Sequence, residues 1–220
     1  MSEPASGLTV AACIIHFNTP DLLRAAVTTF VAHEPGVPLR VIDNGSDAAS
    51  DDVLASCAAM PGVTVERLGR NVYHGPAMDH ALRTLDADLV LFLDSDTETR
   101  TGGFVADMAA RFAQNGRLYA LGQLVNVDRR GFAGPRATIP VPHSAHVMVR
   151  RAAYLTLPPF VHHGLPVLAN MRAAQAAGWK VHAFPIERYV WHKGRGTAAR
   201  FGYGLGWRSR LDYLLHRLGL

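Results

Sequence analysis

The sequence lacks the features that mark disulfide-rich, secreted or membrane-spanning proteins. It has only two cysteines, Cys13 in an apolar run and Cys57 in an Ala-rich helical pattern. These contexts favour two buried thiols over a disulfide, and therefore a reducing compartment. No apolar run approaches the roughly 18 residues that suggest a membrane-spanning helix, and residues 1–4 lack the basic and apolar regions of a signal peptide. We therefore expect a cytoplasmic protein.

Charged residues are also scarce, at 18% of the chain, and their net excess is only +4. The excess is concentrated near the C-terminal end, where residues 193–220 hold six lysines and arginines but a single acid, Asp212. Such a segment suits a nucleotide diphosphate, an anionic membrane surface or nucleic acid. We expect no nucleic-acid binding, because the chain has neither an aromatic-basic strand pattern nor a recognition helix.

The first half of the chain alternates between short apolar runs, typical of buried strands, and helical patterns. The predicted strands cover residues 10–16, 39–42, 63–67, 89–93 and 118–125. The predicted helices cover residues 20–33, 51–60, 76–85 and 103–115, with Thr19 and Ser50 as caps of the first two. This order predicts an α/β fold with an open, largely parallel sheet and helices on both faces.

The second half is less regular. Residues 128–142 are rich in Gly, Pro and Arg and predict a mobile loop. Strands are predicted at residues 146–150, 180–184 and 188–191, and a helix at 165–177. Because no linker or internal repeat is present, we expect one domain over residues 1–220. Residues 198–220 predict a basic amphipathic helical segment, which suits either peripheral membrane contact or packing on its own domain or on a homodimer partner.

Polar side chains follow three of the predicted strands directly. They are residues 16–18 (His-Phe-Asn), 43–46 (Asp-Asn-Gly-Ser) and 94–96 (Asp-Ser-Asp). In an open α/β sheet, ligands bind beyond the carboxyl ends of the strands. Three polar strand ends at one edge therefore predict a binding site there.

The acidic turn at residues 94–96 predicts a metal site. Asp94 and Asp96 follow a fully apolar strand, so their carboxylates must either repel each other or share a cation. Mn²⁺ or Mg²⁺ is the expected cofactor, because such ions bridge carboxylates to substrate phosphates and neutralise a departing diphosphate. His192, followed by Lys193 and Gly194, is a candidate third ligand. Ordinary turn or capping acids and a structural histidine are the alternatives.

Seven segments, taken in chain order, resemble glycosyltransferase family two, whose members have the GT-A fold. They are residues 14–18 (IIHFN), 41–46 (VIDNGS), 70–75 (RNVYHG), 91–96 (LFLDSD), 147–151 (VMVRR), 177–181 (AGWKV) and 190–192 (VWH). The resemblance implies a GT-A, Rossmann-like open mixed sheet that is mostly parallel. It also implies a metal-dependent glycosyltransferase, which moves a sugar from a nucleotide diphosphate donor (UDP-sugar by default) to an acceptor hydroxyl with inversion.

The resemblance further implies roles for individual residues. The expected nucleotide-binding residues are His16, Phe17, Asn18, Asp43, Asn44, Arg70, Gly75, Asp94 and Ser95. The expected metal ligands are Asp96, Asp94 and His192. Within these sets, Asp43 would hold the nucleobase or ribose, and Asp94 would face the ribose or the sugar. Asp96 would ligate the metal, and His192 would complete the metal or diphosphate contacts.

The chain departs from the family pattern where the catalytic base is expected. Family members carry a Glu-Asp pair after the segment that ends near Phe160, whereas this chain has His162 and His163 there and no acid. A histidine can serve as a general base because its ordinary pKa lies near neutrality. His163 and His162 are therefore the candidate catalytic residues. Asp128 in the predicted loop, or no side-chain base at all, are the alternatives.

Two other functions stay open. One is a nucleotidyltransferase of the same fold, which usually has a glycine-rich, basic loop after the first strand; residues 17–20 (FNTP) have neither feature. The other is a non-catalytic module that binds a nucleotide or glycan, and the missing Glu-Asp pair supports it. The acceptor, whether a glycan, a lipid-linked sugar, a small molecule or a peptide, is not specified by the sequence.

Overall fold

The computed structural model describes residues 7–135, 137–161, 165–194, 200, 211, 214 and 215. The two candidate base residues, His162 and His163, lie outside these residues. So does most of the predicted C-terminal helical segment 198–220. Its helical character and its membrane or dimer contact therefore stay predictions.

The described residues form nine strands and six α-helices. The strands are β1 (Val10–His16), β2 (Leu39–Asp43), β3 (Val63–Arg67), β4 (Leu89–Asp94), β5 (Thr97–Thr99), β6 (Leu118–Val127), β7 (Ile139–Arg150), β8 (Lys180–Ala183) and β9 (Val190–His192). The helices are α1 (Pro20–His33), α2 (Asp51–Ala58), α3 (His74–Thr84), α4 (Phe104–Gln114), α5 (Arg151–Tyr154) and α6 (Leu168–Ala176).

Seven of these strands form one mixed sheet in the order β3-β2-β1-β4-β7-β6-β8. The pairs β3/β2, β2/β1, β1/β4 and β6/β8 are parallel, and β7 is antiparallel to both of its neighbours. A separate two-stranded ribbon joins β5 to β9. The predicted α/β class and mostly parallel sheet are therefore confirmed.

Residues 89–93 of strand β4 are all apolar because both faces of the strand are buried there. Leu91 and Leu93 face a core that includes side chains of α1, α2 and α4. Val90 and Phe92 face a second core, built with α3 and α6. A central strand with helices on both sides is expected to lack the alternation of apolar and polar residues. Both cysteines are buried free thiols, as predicted.

The predicted loop at residues 128–142 is shorter than expected. Strand β6 extends to Val127, and β7 begins at Ile139, so the two form a long antiparallel hairpin. Pro140 and Pro142 suggested a loop, but this stretch pairs only with β6. Proline has no N–H to donate to a neighbouring strand, so it is tolerated where one side of a strand is unpaired.

Three further elements differ from the predictions. Helix α3 begins at His74, two residues before the proline that was expected to open it. The predicted helix at residues 165–177 begins only at Leu168. Strand β5 was not predicted; it is three residues long and exists because β9 pairs with it from the far end of the domain. None of the described helices is long and apolar enough to cross a membrane.

Candidate active site

The three polar strand ends lie at the same edge of the sheet. His16 is in register with Asp43 on one side of β1, and Ile15 is in register with Asp94 on the other. The segments 16–18, 43–46 and 94–96 therefore follow adjacent parallel strands. The arrangement expected from the sequence is present.

Asp94, Asp96 and His192 form one cluster at this edge. The Nε2 atom of His192 lies 3.1 Å from Oδ1 of Asp96 and 3.9 Å from Oδ2 of Asp94. One ligand atom from each residue lies within 4.8 Å of the other two. The β5/β9 ribbon creates this contact, because it pairs His192 with Thr97, and the Lys193 amide donates to the Asp96 carbonyl at 3.0 Å.

The donor set of this cluster fits a divalent cation. Asp96 is 4% exposed, so its carboxylate needs a positive partner or strong donors. The hydrogen bond that His192 donates to the Asp96 carboxylate raises the pKa of His192, against the opposing effect of burial. One imidazole nitrogen and two carboxylates suit Mn²⁺ better than Mg²⁺, which prefers oxygen ligands only.

Three more histidines surround the cluster, and none of them was among the predicted site residues. His74 at the start of α3 has Nε2 3.6 Å from Oδ1 of Asp94. The rings of His143 and His146 lie 5.5 Å apart, and their centroids lie 5.8 and 5.3 Å from the ring of His192. The candidate site is therefore rich in imidazole.

A bulge in β7 brings His143 and His146 together. Gly122 of β6 pairs with Val147, whereas Leu124 pairs with Pro142, so β7 has extra residues between these points. In a regular strand, residues three apart point to opposite faces. The alternation of a regular strand therefore predicts that His143 and His146 lie on opposite faces. The register of the β6/β7 hairpin shows that they lie together.

Burial keeps the two β7 histidines neutral. It lowers the pKa of His146 to about 3, and it also lowers the pKa of His143. Nδ1 of His143 accepts a hydrogen bond from the Ala145 amide at 3.2 Å. The neutral His143 ring therefore carries its proton on Nε2, which makes this nitrogen a hydrogen-bond donor.

The loop after β1 is tied to the loop after β2. The amide of Asn18 donates to Oγ of Ser46 at 2.9 Å, and Oδ1 of Asn18 accepts from the Asp47 amide at 2.8 Å. Asp43, which is 2% exposed, accepts from the Ser46 amide at 3.2 Å. Of the predicted nucleotide contacts in this region, Phe17 and Asn18 are half-buried. Nucleotide binding by these residues stays a prediction.

Asn44 holds the loop that carries Arg70. Its Oδ1 accepts from the Val72 amide at 2.9 Å, and its Nδ2 donates to Oδ1 of Asn71 at 3.2 Å. Gly45 lies so close that a Cβ there would be 2.3 Å from the carbonyl carbon of Arg70. Asn44 is 3% exposed, so the structure gives it a positioning role beside the exposed Arg70.

His16 and Ser95 belong to a buried polar network below the strand edge. Nε2 of His16 lies 3.2 Å from Oγ of Ser50, and Oγ of Thr19 lies 3.2 Å from Oγ of Ser95. Thr19 and Ser50 make no side-chain caps for the helices they were expected to open, because their hydroxyls serve this network. His16 is fully buried, and any direct nucleotide contact by it stays a prediction.

We expect His16 to make the protein sensitive to mild acid. Burial lowers its pKa to about 4, whereas an unfolded histidine titrates near 6.5. The unfolded chain thus binds more protons between these values, and stability falls as the pH falls through them. Between pH 7 and 5 this effect costs about 2 kcal/mol. Guanidinium unfolding should show a smaller loss for His16→Gln, whereas the exposed-site control His182→Gln should keep the wild-type loss.

Two other predicted residues have clear structural partners. Gly75, in the first turn of α3, packs against the backbone of Val161, where a Cβ would be 1.7 Å from the carbonyl oxygen. Oδ1 of Asp128, one of the alternatives for the base, accepts from the amides of Arg130 and Phe132 at 2.8 and 3.0 Å. Through these two hydrogen bonds, the Asp128 carboxylate stabilises the turn that follows it.

Residues 11–171, well over half of the chain, match the sequence profile described as Glycosyl transferase family 2. The chain belongs to this family. The match begins in β1, includes the acidic turn and ends in α6, so it covers the strand edge described above. No curated protein matches the sequence significantly.

Solved structures share the fold of this family member at low sequence identity. The mannosyltransferase PcManGT from Pyrobaculum calidifontis, in complex with GDP-Man and Mn²⁺, has a TM-score of 0.68 and 15% identity; the match covers 84% of this chain and 57% of that one. TarS 1–349 from S. aureus, in complex with UDP-GlcNAc, has a TM-score of 0.66 and 16% identity, with 89% and 62% covered. The chain thus spans less than two thirds of these relatives. The likeness confirms the predicted GT-A fold.

Proposed function

We propose that the chain is a metal-dependent glycosyltransferase that moves a sugar from a nucleotide diphosphate to an acceptor hydroxyl. The observation that carries this proposal is the cluster of Asp94, Asp96 and His192 at the carboxyl edge of the sheet in a member of glycosyl transferase family 2. The complexes of PcManGT with GDP-Man and of TarS with UDP-GlcNAc support a nucleotide-sugar donor. UDP-sugar is the default donor.

The donor would lie along the strand ends. Its base and ribose would be held by the 17–18 loop and Asp43, with Arg70 along the nucleotide. Asp94 would face the ribose or the sugar, while Asp96 and His192 hold the ion. The mixed nitrogen and oxygen donors favour Mn²⁺ over Mg²⁺, and the Mn²⁺ in the PcManGT complex agrees with that choice. When bound, the ion neutralises charge that develops on the departing diphosphate.

The chemistry itself needs a nucleophile, a base and a leaving group. The acceptor oxygen would attack the anomeric carbon as the bond to the diphosphate breaks, which inverts that carbon. The proton of the acceptor hydroxyl would pass to His163 or His162, the candidate bases. Asp128 is less suited, since its carboxylate already accepts two amide bonds. The Nε2–H of His143 beside the cluster would donate to the leaving group or the sugar.

A non-catalytic nucleotide- or glycan-binding module is the second candidate, and the absence of an acid at residues 161–166 favours it. A nucleotidyltransferase is less favoured, since the loop after β1 is neither basic nor glycine-rich. The acceptor, a peripheral membrane contact through residues 198–220 and a homodimer stay predictions.

Calorimetric titration with UDP, GDP and dTDP, each with and without Mn²⁺, tests the proposed function. We expect one nucleotide to bind at least about ten-fold more tightly when Mn²⁺ is present, because the ion bridges the carboxylates and the diphosphate. That nucleotide names the donor class. Turnover of the matching nucleotide sugar, followed by release of the nucleoside diphosphate, would then separate the enzyme from the binding module. A protein that binds none of the three nucleotides under either condition is not a nucleotide-sugar transferase.

A further inference from the structure

Tyr73 has a backbone conformation that glycine adopts readily and other residues rarely do. Its φ is 70° and its ψ is 165°, directly before helix α3. Among the described residues, the other non-glycine with positive φ is Asn18, a residue type that tolerates such angles. A bulky aromatic residue with these angles is strained, and such strain clusters at ligand-binding sites.

The surrounding hydrogen bonds enforce this conformation. The Tyr73 amide donates to Oδ1 of Asn71 at 2.8 Å, and its carbonyl accepts from the Ala77 amide at 3.2 Å in the first turn of α3. The same Oδ1 of Asn71 accepts from Asn44, the residue that follows β2. The backbone of Tyr73 is therefore fixed between the end of β2 and the start of α3.

The position of Tyr73 follows from its neighbours on both sides. Val72 is bonded to Asn44 beyond the end of β2, and His74 lies 3.6 Å from Asp94 at the end of β4. Strand β1 lies between β2 and β4 in the sheet. Residues 72–74 therefore span the strand ends from the proposed base-binding side to the proposed ribose and metal side. That is the path the nucleoside would follow.

Core packing does not explain why this position carries a tyrosine. The side chain is 51% exposed, one of the most exposed large apolar side chains in the described part of the chain. A glycine would adopt these angles without strain, so a tyrosine here has a conformational cost that burial in the core does not offset. An exposed aromatic ring beside a nucleotide site offers a flat surface on which a base can stack.

We propose that the Tyr73 ring packs against the nucleoside of the donor. This inference rests on the proposed function and adds a binding residue to it. Because every base has an aromatic face, such packing supplies affinity rather than a choice between bases. The Asp94, Asp96 and His192 cluster would hold the diphosphate through the ion, and Tyr73 would hold the other end of the nucleotide.

Binding of two ligands to Tyr73→Ala, Tyr73→Gly and Tyr73→Phe tests this inference. The ligands are the nucleoside diphosphate that the wild type binds and inorganic pyrophosphate, each with Mn²⁺. We expect the Ala and Gly variants to bind the nucleotide about ten-fold more weakly, and the Phe variant to stay within about two-fold of wild type. Affinity for pyrophosphate should not change in any variant, because pyrophosphate has no nucleoside.

Thermal unfolding separates loss of the ring from damage to the fold. The Gly variant should melt about 2–4 °C above the Ala variant, because alanine keeps the strain that glycine relieves. If Tyr73→Gly is more stable than Tyr73→Ala and still binds the nucleotide more weakly than wild type, misfolding cannot explain the weaker binding. Wild-type nucleotide affinity in Tyr73→Ala, or an equal loss of pyrophosphate affinity, would overturn the inference and leave the proposed function standing. A wild type that binds no nucleotide would overturn both.

Discussion

Asp96→Asn is expected to weaken Mn²⁺-dependent nucleotide binding by roughly 100-fold and to abolish detectable sugar transfer. Asparagine has nearly the same shape, but it removes the negative charge that a divalent ion needs. Asp96 is the most buried of the three clustered residues, at 4% exposure, so water cannot easily replace its oxygen. The hydrogen-bond acceptor toward His192, which lies 3.1 Å away, is retained by the amide oxygen. The measurement is calorimetry with the nucleotide in the presence and absence of Mn²⁺.

The control for this variant is Asp86→Asn. Asp86 is an exposed acid that precedes β4, and therefore lies beyond the opposite edge of the sheet from Asp96. Both substitutions change the net charge equally, so a general electrostatic effect would appear in both proteins. Equal binding by Asp96→Asn and wild type would exclude the acidic turn as the metal site and would remove the main support for metal dependence.

Gly75→Ala is expected to destabilise the protein by about 3 kcal/mol or more. A Cβ at this position would be 1.7 Å from the carbonyl oxygen and 2.5 Å from the carbonyl carbon of Val161, so backbone must move. The Val161 segment is held from its other side by a bond from its amide to the Pro166 carbonyl at 3.1 Å. Because His162 and His163 follow Val161 directly, we also expect turnover to fall by more than nucleotide affinity.

Chemical denaturation of Gly75→Ala beside Gly116→Ala measures this effect. A Cβ at Gly116 would meet no atom within 4 Å, and Gly116 does not have a positive φ, so alanine there should be close to neutral. Both variants lose the same backbone freedom in the unfolded chain, which leaves the contact with Val161 as the difference between them. If the two variants unfold at the same denaturant concentration, α3 does not pack against Val161 as described.

Local patterns in the sequence were sufficient to predict part of this fold. The apolar runs of β1 and β4 and the apolar stripes of α1 and α4 follow from burial of their own residues, so the α/β class and the parallel half of the sheet were predictable. The polar residues of the site also follow their strands directly in the sequence. Asp43 and the pair Asp94 and Asp96 were therefore expected at one edge of the sheet.

The distant residues that complete the site come together through long-range strand pairing, which local patterns do not encode. His192 lies 96 residues from Asp96 and meets it because β9 pairs with β5, a strand too short for its own sequence to predict. His143 and His146 share the site because of a bulge in β7, against the local alternation of a strand. The hydroxyls of Thr19 and Ser50 do not cap helices as predicted; they form a buried network with His16 and Ser95 instead. Each of these contacts depends on the register of remote strands, and register is fixed by the whole sheet and its cores rather than by neighbouring residues.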